Sequence, residues 1–156
     1  MIESLDKLKL DKEGFIINEA SLLNIKEPFL SQANWVLLNY VHCEYNNAMD
    51  SAYLIGDIPR GLGEENKSKI NLLVVLHKGN KHICQYVKYY YLNHPNPYDF
   101  KVHIEVISYD DIFANNYGSL KYKFLLKTSA VCIFGRDLSA TIRKYTKEDL
   151  NRIFDV

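Results

Sequence analysis

The chain has no net charge: 19 Lys and Arg residues balance 19 Asp and Glu residues over 156 positions. That balance removes the general electrostatic pull on which nucleic-acid binders depend and argues against such a partner; only a local basic patch would restore it. Cysteine is sparse. Cys43, Cys84 and Cys132 are far apart, odd in number and set among apolar neighbours. They offer neither a disulfide framework nor a zinc-ligand spacing, and each reads as a small core hydrophobe in a reducing compartment. No apolar run approaches the ~20 residues of a membrane span, and the opening MIESLDKLKLDKEG lacks the apolar stretch of a signal peptide. The expectation is a soluble, cytoplasmic protein without a membrane partner. His42, His77, His82, His94 and His103 show no ligand spacing on a common face, and no Ser-His-Asp arrangement can be argued. Internal repeats and low-complexity segments are missing as well.

What is present is an ordinary globular composition, 47% hydrophobic and 24% charged. The length fits one domain over residues 1–156, and a domain of this size buries ~68–70% of its unfolded surface, so no staple is needed. Phe29, Ala33, Val36, Leu37, Tyr40 and Val41 recur at three and four, which predicts a helix from about Pro28 to Tyr45, with Asn46-Asn47 at its end. Ala52–Ile55 reads as a short buried strand stopped by Gly56. Ile70–Leu76 reads as a longer strand covered on both faces. Ile83, Tyr86, Val87, Tyr90 and Tyr91 predict a helix over 81–94, ended by Pro95 and Pro97. Val102–Ile107 alternates as a third strand.

Asp110-Asp111 is placed as the cap of a short helix reaching Asn116, and Ser119 as the cap of another. Val131–Phe134 is a last short strand closed by Gly135, and Thr146–Phe154 a terminal amphipathic helix. Phe15-Ile16-Ile17 is a candidate short strand. The predicted class is α/β (α+β), a small mixed sheet flanked by helices. Twelve tyrosines are many for this length. Those near Tyr86, Tyr89, Tyr90 and Tyr91 read mostly as packing with the hydroxyl at water; the sharper reading is a surface for a protein partner.

The stretch Ala52–Leu76 carries the most specific pattern: a strand, the turn Gly56-Asp57, then Arg60-Gly61, a polar loop, and a strand opening Ser68-Lys69-Ile70-Asn71-Leu72. It resembles the signature of the nucleotidyltransferase superfamily that includes DNA polymerase beta and the aminoglycoside nucleotidyltransferases. That signature has a Gly-Ser turn, an Arg-Gly a few residues later, and a strand opening Ser-Asp-apolar-Asp. The third strand, and the segment from Phe124 to Leu138, extend the resemblance to a core of about residues 29–138, with 139–156 a short helical tail. The resemblance implies a nucleotidyltransferase-like fold. Its candidate nucleotide-binding residues in this chain are Gly56, Asp57, Arg60, Gly61, Ser68, Lys69 and Asn71.

The resemblance also implies where chemistry is lost. Nucleotidyl transfer uses a pair of magnesium ions held by carboxylates, two of them two apart on one strand so that both face one side. Here those positions hold Lys69 and Asn71, which turns two negative charges into one positive. Unit charges about 4 Å apart interact by ~4 kcal/mol at an effective dielectric of about 20, so Mg²⁺ beside Lys69 is strongly disfavoured. Asp57 stands in place of the serine that contacts the triphosphate. Glu105 is the best candidate for the remaining acidic position, with His103 on the same face.

The expectation is a catalytically degenerate domain that acts by binding a nucleotide or a protein partner, with no metal. The alternatives are an active enzyme using Mg²⁺, a nucleoside triphosphate and displaced carboxylates, Asp57 and Glu105 with Glu64 or Glu65, or a structural module of a larger assembly. After the core only Lys147–Val156 remains, which reads as a minimal version or a shortened chain whose cover comes from a second subunit, a homodimer.

Overall fold

Ile70–Leu76 is apolar at every position but Asn71, and the structure encloses it accordingly, as an inner strand with helices over both faces. The structure is a computed structural model and describes residues 5–64 and 67–154. Four strands, β1 (Met49–Ile55), β2 (Ile70–Leu76), β3 (Val102–Ser108) and β4 (Ala130–Gly135), form one sheet in the order β3-β2-β1-β4. β1 is antiparallel to β2 and β4, whereas β2 and β3 are parallel. The sheet is therefore mixed, as the α+β expectation requires. The parallel pair needs a crossover, and helix α3 (Lys81–Asn93) supplies it.

Alternation along the strands sorts the core. Ala52, Leu54, Leu72, Val74, Ile104 and Val106 face one side, where they meet α1 (Phe29–Leu37) and α3. Tyr53, Ile55, Leu73 and Val75 face the other, where they meet α5 (Tyr117–Thr128) and α6 (Lys147–Phe154). The α1 stripe predicted from spacing is the buried one. Its helix continues through a π-helical turn, Leu38–His42, and a short α2, Cys43–Tyr45, so helical backbone spans the expected range.

Several expectations are corrected. Asp110-Asp111 does not cap α4 (Tyr109–Ile112). Ser108 takes the cap position with an extended backbone, and the two acids lie in the first turn, where they favour the positive end of the helix. That helix stops at Ile112, short of Asn116. Ser119 does not cap α5 either: the Asn116 side chain accepts from the Ser119 N–H at 2.9 Å, and the Ser119 hydroxyl bonds back to Ala114 O at 2.6 Å. Among the described residues Phe15 and Ile16 make isolated bridges, to Thr146 and Leu10, and stay out of the sheet. Cys43 is exposed and not a core residue; Cys132 is half-buried, and Cys84 alone of the three is fully buried.

Candidate functional site

β1 ends where β2 and β3 begin, so one end of the sheet gathers most of the candidate residues. Ile55 pairs with Asn71, and Asn71 pairs with His103. Gly56 leaves the strand with φ +95°, a conformation that costs glycine little, and its N–H donates to Ser129 O at 2.9 Å. Asp57 then opens a single 3-10 turn, Ile58–Arg60, which Gly61 closes in the left-handed region. The Leu62 and Arg60 N–H groups both donate to Asp57 O, so the turn is held by its own backbone.

The Arg60 side chain is 3% exposed. It donates to Lys7 O at 3.1 Å and lies 3.9 Å from both Glu19 and Asp57. Arginine is rarely buried unless paired, and here Asp57 of the turn is joined by Lys7 and Glu19 from the N-terminal segment folding across it. Ser21 N–H to Pro59 O, at 2.9 Å, pins the same segment. The sequence offers Arg60 as a nucleotide-binding candidate; in the fold its side chain is turned toward Lys7, Glu19 and Asp57. Ser68 is likewise committed, its hydroxyl accepting the Glu64 N–H at 2.8 Å to close the loop before β2. Glu64 pairs with Lys67 at 3.4 Å on the surface. Glu65 lies outside the described residues.

Lys69 is different. It is exposed, forms no ion pair among the described residues, and lines a cleft of about 360 Å³ at the β3 edge. Its companions there are Lys88, Tyr91 and Leu92 from α3 and Val102 to Glu105 from β3. Glu105 is the hub of this edge. Its carboxylate meets His103 Nε2 at 3.0 Å, Lys88 Nζ at 3.4 Å and the Tyr122 hydroxyl at 3.4 Å. Helices from both faces of the sheet reach it because, among the described residues, β3 has no strand on its outer side. Burial, and then the Glu105 charge, push the Tyr122 phenol above its ordinary value, so it stays a neutral donor.

These residues do not fit a pair of magnesium ions. Mg²⁺ takes hard oxygen ligands in near-octahedral geometry. The β2 positions offer an ammonium and an amide, Glu105 already answers Lys88, His103 and the Tyr122 hydroxyl, and Asp57 faces Arg60. No group of three His, Cys, Asp or Glu residues among the described residues is placed to hold a metal ion.

The sequence offered Lys69 and Asn71 on one strand face and Glu105, with His103, on the third strand; the register sets Asn71 beside His103 and Leu73 beside Glu105. Sequence reasoning missed Lys88, Tyr91 and Leu92, since only the β2–α3–β3 crossover lays the helix against the β3 edge. It also missed Lys7 and Glu19, whose contacts with Arg60 span more than forty positions. On the outer side of α3, Tyr86, Tyr89 and Leu92 are exposed by 58%, 68% and 79%, whereas Tyr91 is half-buried with its hydroxyl on Val102 O. Packing with the hydroxyl at water thus describes only part of this helix. Among the described residues no helix is long and apolar enough to cross a membrane. The chain matches no protein-family model and no curated protein sequence.

Proposed function

We propose that this chain is a nucleotidyltransferase-like domain that binds its ligand without metal and transfers nothing. The observation that carries this reading is Lys69 and Asn71 at the opening of β2, where the resemblance calls for two carboxylates. The order of elements supports it: a helix, a strand ending in a glycine turn, a second strand, a crossover helix and a third strand parallel to the second. Lys69 supplies by itself the positive charge that a metal would otherwise bring, and a nucleotide is the ligand that the resemblance favours. Arg60 plays no part, because it is closed under the N-terminal segment.

The active-enzyme alternative needs Asp57 and Glu105 to act together. Both carboxylates have cationic partners of their own, Arg60 for one and Lys88 for the other. Calorimetric titration of the purified chain with the four ribonucleoside triphosphates, once with Mg²⁺ and once with EDTA, tests the reading. A parallel assay follows transfer of labelled nucleotide to any acceptor. Binding indifferent to EDTA, with no transfer, is the expected result. Mg²⁺-dependent binding with transfer would overturn it.

A further inference from the structure

We infer that the β3-edge cleft is a binding site for a phosphomonoester with a compact apolar or aromatic body, centred on Lys69 and Lys88 and separate from the Asp57–Arg60 turn. This rests on the binding reading above and names the ligand class and the residues. The cleft volume, about 360 Å³, lies in the ~300–1,000 Å³ range of small-molecule sites. Its lining has two sides. Tyr91, Leu92, Val102 and Ile104 give an apolar wall, while Lys69, Lys88, His103 and Glu105 give the polar end. Among the fixed charges at that end, two ammonium groups face one carboxylate, and His103 adds a third cation whenever it is protonated.

The two lysines are not equivalent. Lys88 is half-buried and held 3.4 Å from Glu105, whereas Lys69 is exposed and carries no carboxylate partner among the described residues. Lys69 is therefore the entry cation. Glu105 is an internal counterion that keeps Lys88 and His103 aimed into the cleft until an anion arrives. A doubly charged phosphate draws on both lysines more strongly than a singly charged carboxylate, since each added charge strengthens the attraction. The apolar wall makes a bare phosphate a poorer ligand than one carrying a hydrophobic body.

The test is a ¹⁵N-resolved NMR titration of the full chain with phenyl phosphate, adenosine 5′-monophosphate, inorganic phosphate and benzoate. Phenyl phosphate should shift the amides of Lys69, Lys88, Leu92 and His103 and leave those of Asp57–Gly61 in place. Inorganic phosphate and benzoate should bind more weakly than phenyl phosphate. Adenosine 5′-monophosphate binding tighter than phenyl phosphate would identify the body as a nucleoside; the reverse would identify a smaller aryl or alkyl ester, and both orders support the class. Lys69→Met should weaken binding roughly tenfold, as loss of one charge-assisted contact does. Lys81→Met, on exposed α3 outside the cleft, should not change it. Glu105→Gln should tighten binding by freeing Lys88.

No saturable binding up to millimolar ligand, benzoate binding as well as phenyl phosphate, shifts confined to Asp57–Gly61, or indifference to Lys69→Met would each overturn the inference. Mg²⁺-dependent nucleotidyl transfer alongside phenyl phosphate at the cleft would sink the functional reading while leaving this site standing. EDTA-indifferent nucleotide binding elsewhere would do the opposite.

Discussion

Arg136 grips Asp50 through two parallel hydrogen bonds, Nε to Oδ1 at 2.8 Å and Nη2 to Oδ2 at 2.9 Å. The carboxylate is 2% exposed while the arginine side chain is 62% exposed, so a surface cation answers a buried anion at the far end of β1 from the candidate site. The Asp50 bond and charge hold the guanidinium above its already high ordinary value, and Tyr109 lies beneath it, 5.3 Å from ring centre to guanidinium carbon. Gly135 makes the approach feasible. Its φ is +73°, and a Cβ there would sit 2.0 Å from Asp50 O.

Breaking one side of such a pair leaves a buried charge uncompensated, which costs more than removing both partners. Arg136→Met should therefore lower the thermal midpoint by more than the double variant Arg136→Met/Asp50→Asn does. A double-mutant cycle followed by thermal denaturation measures this. Additive effects of the two changes would show that the pair is idle. Gly135→Ala should be more damaging than an ordinary surface glycine substitution, because both the backbone conformation and the space are wrong for a side chain.

Tyr53 joins the same region from inside the core. Its hydroxyl donates to Arg136 O at 2.9 Å and accepts the Leu138 N–H at 3.0 Å. Burial pushes the phenol up to about 12. The folded value lies above the unfolded one near 10, so the neutral phenol's contribution is complete below about pH 10 and is lost as pH rises toward about 12. At roughly 1.4 kcal/mol per pH unit the loss amounts to roughly 2–3 kcal/mol over that window. Tyr53→Phe should remove this alkaline step, cost about 1–3 kcal/mol at neutral pH by leaving Leu138 N–H without its acceptor, and delete one late-titrating phenolate from the ultraviolet titration. An unchanged alkaline profile would assign the step to the other tyrosines that burial shifts upward, Tyr40, Tyr45, Tyr91, Tyr122 and Tyr145.

The acid side has its own reporter at the start of α6. Thr146 and Asp149 bond reciprocally: Thr146 N–H to the carboxylate at 2.9 Å, and Asp149 N–H to the threonine hydroxyl at 3.2 Å. Arg143 and Arg152 reach the same carboxylate at 3.1 and 2.8 Å. Burial pushes the carboxyl up, but the Thr146 N–H, the Arg143 guanidinium and the Thr146 hydroxyl together outweigh it, and the net value is lowered. With the folded value below the unfolded one, the contribution is present above the unfolded value, near 4, and is lost as pH falls through the folded one. Asp149→Asn should cost ~1 kcal/mol at pH 7, in the range of a lost cap, and flatten the acid limb of a stability–pH curve. A variant as acid-sensitive as the parent would place the acid transition elsewhere.

Local pattern was legible wherever one face alone decides. The 3.6-residue stripe of α1 and the apolar run of β2 fixed those elements within a residue or two, because the buried side must repeat with the backbone. Caps were misread at Ser108 and Asn116, since Ser, Asn and Asp compete for the same position and the backbone's entry angle chooses between them. The site was half legible. Strand spacing places Lys69 and Asn71 on one side and sets His103 beside them, but which helix covers the β3 edge depends on the crossover. Arg60 shows the limit most plainly. Its type and spacing suit a phosphate ligand, and only the return of residues 7–21 across the turn brings Lys7 and Glu19 to its side chain.

Arg60 also supplies the sharpest test of that division between holding the fold and holding a ligand. If its task is to fasten the N-terminal segment, Arg60→Met should speed amide hydrogen exchange at Ile16–Ile25, where Ser21 N–H rests on Pro59 O. The cost to stability should be about 1–3 kcal/mol, because Glu19 and Asp57 lose a buried cation. Phenyl phosphate affinity should stay at the parent level, in contrast to Lys69→Met. Hydrogen exchange read by mass spectrometry, paired with the same NMR titration, separates the two roles. Lost affinity with unchanged exchange would return Arg60 to the ligand and move the site back to the β1 turn.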